Sequence, residues 1–261
     1  MAAKTRGILA LVAAFAFLWT PLGQQGFLVD HWMKLGTFMT PFMALAALSF
    51  RRGGQPLASD AQVIALALFA AYVAHQFEEH WIDLYGNQYA FQESVNALAR
   101  RALGAPADRP GPLSQTAIFV INTSLVWLTG AVAILLSPQN RFPVLAMAAI
   151  VLVNAVAHIG AGLASFSYNP GLATSVFVFI PIALFAYRRV AADRLSIALS
   201  VLWAVLGHVI MIVGMFAATW WGLIPPSAYY VALVAWSVVP AFFKAPPLGE
   251  RTPPPDSRHT D

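Results

Sequence analysis

The chain has 261 residues, of which 59% are hydrophobic and 10% charged, with a formal net charge of +4 and no cysteine. Soluble domains carry roughly 25% charged residues, so this balance, together with a mean hydropathy of +0.68, excludes an ordinary soluble globule and points to an integral membrane protein. No basic run is interleaved with aromatics, so nucleic acid is not expected as a partner. The absence of cysteine removes disulfides, thiolate metal sites and cysteine nucleophiles together.

A bilayer crossing needs about 17 to 25 apolar residues. Eight segments answer in chain order, roughly Gly7 to Pro21, Lys34 to Phe50, Ala61 to Tyr85, Ser114 to Leu136, Phe142 to Leu163, Gly171 to Tyr187, Leu195 to Ala218 and Ser227 to Phe243. The first follows Lys4 and Arg6 as a secretory leader would, but no small-residue cleavage pattern comes after Trp19, so it is expected to stay as a helix. With the N-terminus in the cytoplasm, Arg51, Arg52, Arg188 and Arg189 all fall in short inner loops, as the positive-inside bias requires. The connection from Gly86 to Leu113 is long and moderately polar, and is expected to hold an interfacial helix before the turn-rich run Gly104 to Pro112. The Pro-rich segment from Ala245 reads as a disordered tail. The expected fold is therefore an all-α polytopic transmembrane helix bundle of about eight spans, with N and C termini cytoplasmic. Residues 1–60 form two N-terminal spans, 61–244 a transmembrane core and 245–261 the tail.

The third span ends in Tyr72-Val-Ala-His-Gln-Phe-Glu-Glu-His-Trp81, which puts carboxylates and imidazoles where the composition asks for lipid. Helix positions i, i+3 and i+4 share a face, so His75, Glu78 and Glu79 are expected to point together. His80, beside Trp81 and Asp83, is expected at the membrane interface. The fifth span places Asn154 and His158 at i, i+4, and the seventh carries His208 alone. Counting about 1.5 Å per residue from the inner ends puts His75, Asn154, His158 and His208 roughly 18 to 24 Å along their helices, one layer in the outer half of the bilayer. Asn122 on the fourth span is close enough in depth to join them.

A charge inside the membrane costs at least ~2.5 to 3.5 kcal/mol unless it is paired, hydrated or coordinated. Two arrangements stabilise this set. Imidazoles and a carboxylate bind a divalent metal, zinc or non-haem iron, or the glutamates and histidines form a hydrogen-bonded network or proton relay without one. Plainer roles compete at each position: interfacial glutamates, helix-to-helix hydrogen bonds for His75, His158 and Asn154, and a satisfied core histidine at His208.

The stretch His75-Gln-Phe-Glu78-Glu79 resembles the signature of the HXXEE domain family of bacterial integral membrane proteins. Asn154-Ala-Val-Ala-His158 and Tyr168-Asn-Pro-Gly-Leu-Ala-Thr174 are similar to further elements of that family. The resemblance covers roughly Ala61 to Tyr187, and it implies a bacterial inner-membrane protein with an unassigned enzymatic role. The Glu-Glu-x-x-x-Arg element of intramembrane prenyl-protein proteases fails here because Asp83 stands where the Arg would be, and H-E-x-x-H, G-x-S-x-G and GxGxxG are absent.

The expectation is a metal-dependent membrane enzyme acting on a lipid or other hydrophobic substrate. His75, His158 and His208 would be ligands with Glu78 or Glu79, the other glutamate an acid/base, and Asn154 a positioning residue. The rivals are a haem held by two of the histidines and a proton or cation transporter without chemical turnover.

Overall fold

The computed structural model describes residues 26–49, 51–52, 55–56, 59–191 and 193–245, together with positions 12, 13 and 15. Among the described residues eight helices follow one another: α1 Phe27–Ser49, α2 Asp60–His80, α3 Ala90–Ala102, α4 Gln115–Leu136, α5 Phe142–Ser165, α6 Leu172–Val190, α7 Arg194–Trp220 and α8 Pro226–Phe242. The extended structure among the described residues is one antiparallel pair, Arg51–Arg52 with Gln55–Pro56, and an isolated bridge between Ile82 and Gln88. Local signals set the helix starts. Ser59 and Gln62 form a reciprocal capping box at α2, Ser114 accepts from Ala117 N at α4, and the Asp193 carboxylate accepts from Ser196 N at α7.

Helices α2, α4, α5, α6 and α7 are long and apolar enough to cross a membrane. Apolar side chains also cover much of their outside, including Val156 and Leu163 on α5, Phe177 on α6 and Leu202, Val209 and Val213 on α7. Exposed apolar area of this extent has no place in water, so it faces lipid and the protein is a membrane protein. Of the other expected spans, the second is a helix that begins earlier, at Phe27, with Asp30 in its first turn. The last is the shorter apolar helix α8, and neither of these is among the five. The first expected span, Gly7 to Pro21, lies outside the described residues except for three positions, as does the tail from Pro246 onward.

Helix α5 runs through the centre. Every residue from Val144 to Ala149 is fully buried, and the helix packs against α2, α4, α6 and α7. A helix that is apolar all round is the one a bundle can surround. Helix α8 leans on α4 and α7. There Trp203 and Trp236 stack at 6.3 Å with an interplanar angle of 5°, and each indole N–H donates to the other's backbone carbonyl. Gly207 makes room for this pair, since a Cβ there would lie 2.9 Å from Trp236 Nε1.

The expected interfacial helix is α3. Asn96 pins it to the start of α4 by exchanging two bonds of 2.9 Å with the Leu113 backbone. The turn from α2 into α3 is organised by Asp83, whose carboxylate accepts from the Tyr85 and Asn87 backbone amides and from the Asn87 side chain. Burial pushes the Asp83 carboxyl up, but the Asn87, Tyr85 and Gly86 donors outweigh it and hold it below the usual range. A depressed carboxyl stabilises the fold in full above the unfolded value of about 3.9, and that contribution fades as pH falls through the folded value. Asp83→Asn should therefore speed amide exchange at Tyr85 and Asn87 near neutral pH, and the difference from wild type should close as the pH drops below the ordinary carboxylate range.

Candidate functional site

The last two turns of α2 put polar side chains inside the bundle. His75, Gln76, Glu78, Glu79 and His80 are all buried. Glu79 is the hub. Its Oε2 lies 3.3 Å from His75 Nε2 and 3.0 Å from His80 Nε2, and its Oε1 lies 3.4 Å from His158 Nε2 on α5. One ligand atom each from His75, Glu79 and His158 fall within 4.8 Å of one another.

Glu78 is not with them. Consecutive helix residues diverge by about 100°, so Glu78 and Glu79 straddle the direction of His75 and only Glu79 reaches it. The Glu78 carboxylate instead accepts from Tyr168 OH (2.9 Å), Ala173 N (3.1 Å), Thr174 N (2.7 Å) and Thr174 Oγ1 (2.6 Å). Helix α6 starts after Gly171, which has no side chain to cap it, so Glu78 satisfies first-turn amides that would otherwise be orphaned. Burial, countered by the Leu84 N–H and reinforced by the bond to Glu78, keeps the Tyr168 phenol above its ordinary pKa and hence a donor.

Donor and acceptor logic fixes two of the three imidazoles. Glu78 can only accept, so the one Thr174 hydroxyl proton goes to it, and the 2.8 Å contact between Thr174 Oγ1 and His75 Nδ1 must be donated by the ring. His75 Nε2 then keeps its lone pair, and Asn154 Nδ2 approaches it at 3.2 Å. On the other side, Asn169 Nδ2 donates to the His158 backbone carbonyl at 3.0 Å, so Asn169 Oδ1 faces His158 Nδ1 at 2.7 Å and that nitrogen carries the proton. With Nδ1 protonated on both rings, His75 and His158 each turn Nε2 toward the Glu79 carboxylate, and His75 Nε2 also meets the Asn154 N–H. A proton or a cation among them is needed to relieve acceptors facing acceptors.

His80 is buried beside Glu79. A buried chain reaches it from α4: Trp127 Nε1 donates to Gln76 Oε1, Gln76 Nε2 to Asn122 Oδ1, and Asn122 Nδ2 lies 3.2 Å from His80 Nε2. That nitrogen faces an acceptor and a donor at once, while His80 Nδ1 is buried without a partner. His208 does not join the cluster. Its Nδ1 donates to Ala204 O at 2.8 Å, and it stands on the α7 wall of a cavity of about 290 Å³ that also touches Tyr72, Glu79, His80, Asn154 and His158.

Gly171 explains why the loop between α5 and α6 can close on the site. Its φ is +93°, and a Cβ there would lie 2.7 Å from His75 Cε1 and 2.8 Å from His158 Cε1. Only glycine adopts that backbone without strain and leaves both rings in place. Sequence reasoning singled out the Tyr168 to Thr174 segment but gave no role to Thr174, Asn169, Tyr72 or Gln76. Their signals were polar residues in apolar helices or beside Pro170-Gly171, and only the tertiary contacts give them partners.

A family model described as a protein of unknown function with HXXEE motif matches residues 66–186. That stretch holds His75, Glu78, Glu79, Asn154, His158 and the Tyr168 to Thr174 loop, so the HXXEE resemblance is shown there. No curated protein and no solved structure matches the chain.

The Glu78, Thr174 and His75 relay makes a direct prediction. Thr174→Val leaves Glu78 Oε2 with only the Thr174 backbone N–H and strands the His75 ring N–H, and should lower stability by about 1 to 3 kcal/mol, read as unfolding in detergent. Thr174→Ser should recover most of that loss. Gly171→Ala should be as damaging, and no second-site polar substitution should rescue it, because its fault is steric.

Proposed function

We propose that the HXXEE segment builds a divalent-metal centre inside the membrane, with His75, Glu79 and His158 as ligands, and that the protein uses it on a lipid or other hydrophobic substrate. The observation that carries this reading is the pair of ring tautomers. Thr174 and Asn169 each accept from the Nδ1–H of a histidine, and both Nε2 atoms meet on one carboxylate. Partners that orient ligand histidines in this way are a recurrent accompaniment of metal sites. The Gly171 cradle supports it as well, because it holds the two rings edge to face at 4.9 Å without filling the space they share.

Two imidazoles and one carboxylate suit zinc or non-haem iron and leave positions open. A cation held there would supply Lewis acidity toward an oxygen of bound substrate. Asn154, which donates to Tyr72 OH at 2.8 Å and lies against His75 Nε2, holds both side chains in register. Glu78 serves as the anchor of the α6 start and of His75, in place of the ligand or acid/base role expected for it. Haem suits this pair of histidines poorly: the rings touch one another, and Phe179 lies 4.3 Å from His75, with no slot between for a macrocycle. We place the protein in a bacterial inner membrane with both termini cytoplasmic, on the charge bias of its loops.

The test is elemental analysis of protein purified in mild detergent without chelators. Stoichiometric zinc or iron is expected, falling at least about tenfold in His158→Ala and in Glu79→Gln and unchanged in His208→Ala. A metal-free wild type, or metal retained in both ligand variants, would sink the reading.

A further inference from the structure

The cavity beside the cluster is long and narrow. Its lining runs from Trp203 to Met215 on α7 and from Ile150 to Ala161 on α5, about 18 Å and 16 Å at the helical rise. A volume of about 290 Å³ spread over that length is the width of one hydrocarbon chain, and it lies at the lower limit of the roughly 300 to 1,000 Å³ of small-molecule sites. Its polar groups are not at one end. Asn154 and His158 fall inside the α5 stretch and His208 inside the α7 stretch, with apolar lining on both sides, such as Leu113 and Met215 one way and Val126 and Trp236 the other. A fatty acid or alcohol, polar only at its tip, would leave half of such a cavity wrongly matched.

Tyr72 and His208 give the polar waist a spare donor and a spare acceptor. Tyr72 OH accepts from Asn154 and makes no donated bond among the described residues, so its proton is free. His208 commits Nδ1–H to Ala204 O, so its Nε2 is an acceptor. Tyr72 is on α2 and His208 on α7, two of the helices that line the cavity. A donor on one wall and an acceptor on the other complement a group whose acceptor and donor point in opposite directions across a chain. A trans secondary amide is such a group.

We infer that the cavity binds a linear fatty amide, hydrocarbon on both sides of its amide, with the carbonyl oxygen at Tyr72 OH and the amide N–H at His208 Nε2. The inference rests on the metal-centre reading for what happens to that amide, and on the cavity for its recognition. The side for entry that fits these residues is beside α5, where the lining residues Ala157 and Ala161 are exposed and where Gly160 adds nothing to obstruct a chain.

The experiment compares two photoreactive probes on the full-length protein in detergent, a diazirine-tagged N-alkyl fatty amide and the ester of the same length. Wild type should crosslink the amide about tenfold more efficiently, one hydrogen bond to a buried acceptor, with adducts on lining residues such as Met211 and Met215. His208→Leu should erase the preference by weakening the amide to the level of the ester. Ala161→Trp, a change on an exposed position, should reduce labelling by both. Equal labelling of amide and ester by wild type, a preference that survives His208→Leu, or adducts confined to lipid-facing residues such as Phe177 would overturn the inference. Metal content of the same samples separates the two ideas. An amide preference in metal-free protein upholds the amide site while removing the metal centre, and stoichiometric metal without a preference does the reverse.

Discussion

Everything around the site follows from one buried carboxylate. Glu79 sits at the end of a membrane-crossing helix, 7% exposed, and a lone carboxylate in such a setting would cost several kcal/mol or more. Its surroundings are arranged to avoid that isolation, with three imidazoles within 3.4 Å. Those rings in turn need fixed orientations. The fixing is done by residues from four other places in the chain: Thr174 at the α6 start, Asn169 in the preceding loop, Asn154 on α5 and Asn122 on α4. A polar network in a low-dielectric interior is stable only when nearly every member is satisfied. Among the described residues this one leaves His80 Nδ1 without a partner, and the Glu79 centre is complete only with a proton or a cation between the carboxylate and the rings.

Much of the fold was legible in the sequence. Apolar length and turn chemistry located α2, α4, α5, α6 and α7 to within a few residues, and the long polar connection announced α3. The site was legible at coarser grain. His75, Glu79, Asn154 and His158 were read from spacing and depth, and depth is what a helical count supplies well. Azimuth is where the count failed. Treating i+3 and i+4 as one face merged Glu78 with Glu79, although the two carboxylates diverge by about 100° and end in different environments. His80 was read from its aromatic and acidic neighbours in sequence, and the rings packed on it, Trp32 and Phe91, come from α1 and α3, where sequence proximity does not reach. His208 was grouped with the others by its count along the helix, and its Nδ1 instead bonds Ala204 O on its own helix while the ring lines the cavity.

The division of labour between adjacent glutamates links the site to the fold's mechanics. Glu78 caps a neighbouring helix and, through one threonine hydroxyl, sets the tautomer of a ring that contacts Glu79. The start of α6 cannot shift without moving His75, and Gly171 presses on His75 and His158 from the same loop. π-helical turns begin at Asn122 on α4, at Ser175 on α6 and at Phe216 on α7; the first two lie at helices that meet this assembly, and such turns occur often where a helix must re-aim side chains at a functional centre.

The Trp203 and Trp236 pair has an importance beyond packing. Both indoles line the cavity, and because they are stacked and bonded to each other's backbone they cross-link α7 and α8 beside it. Two helices that border a hollow are thereby kept from splaying apart or collapsing into it under the lateral pressure of the surrounding lipid.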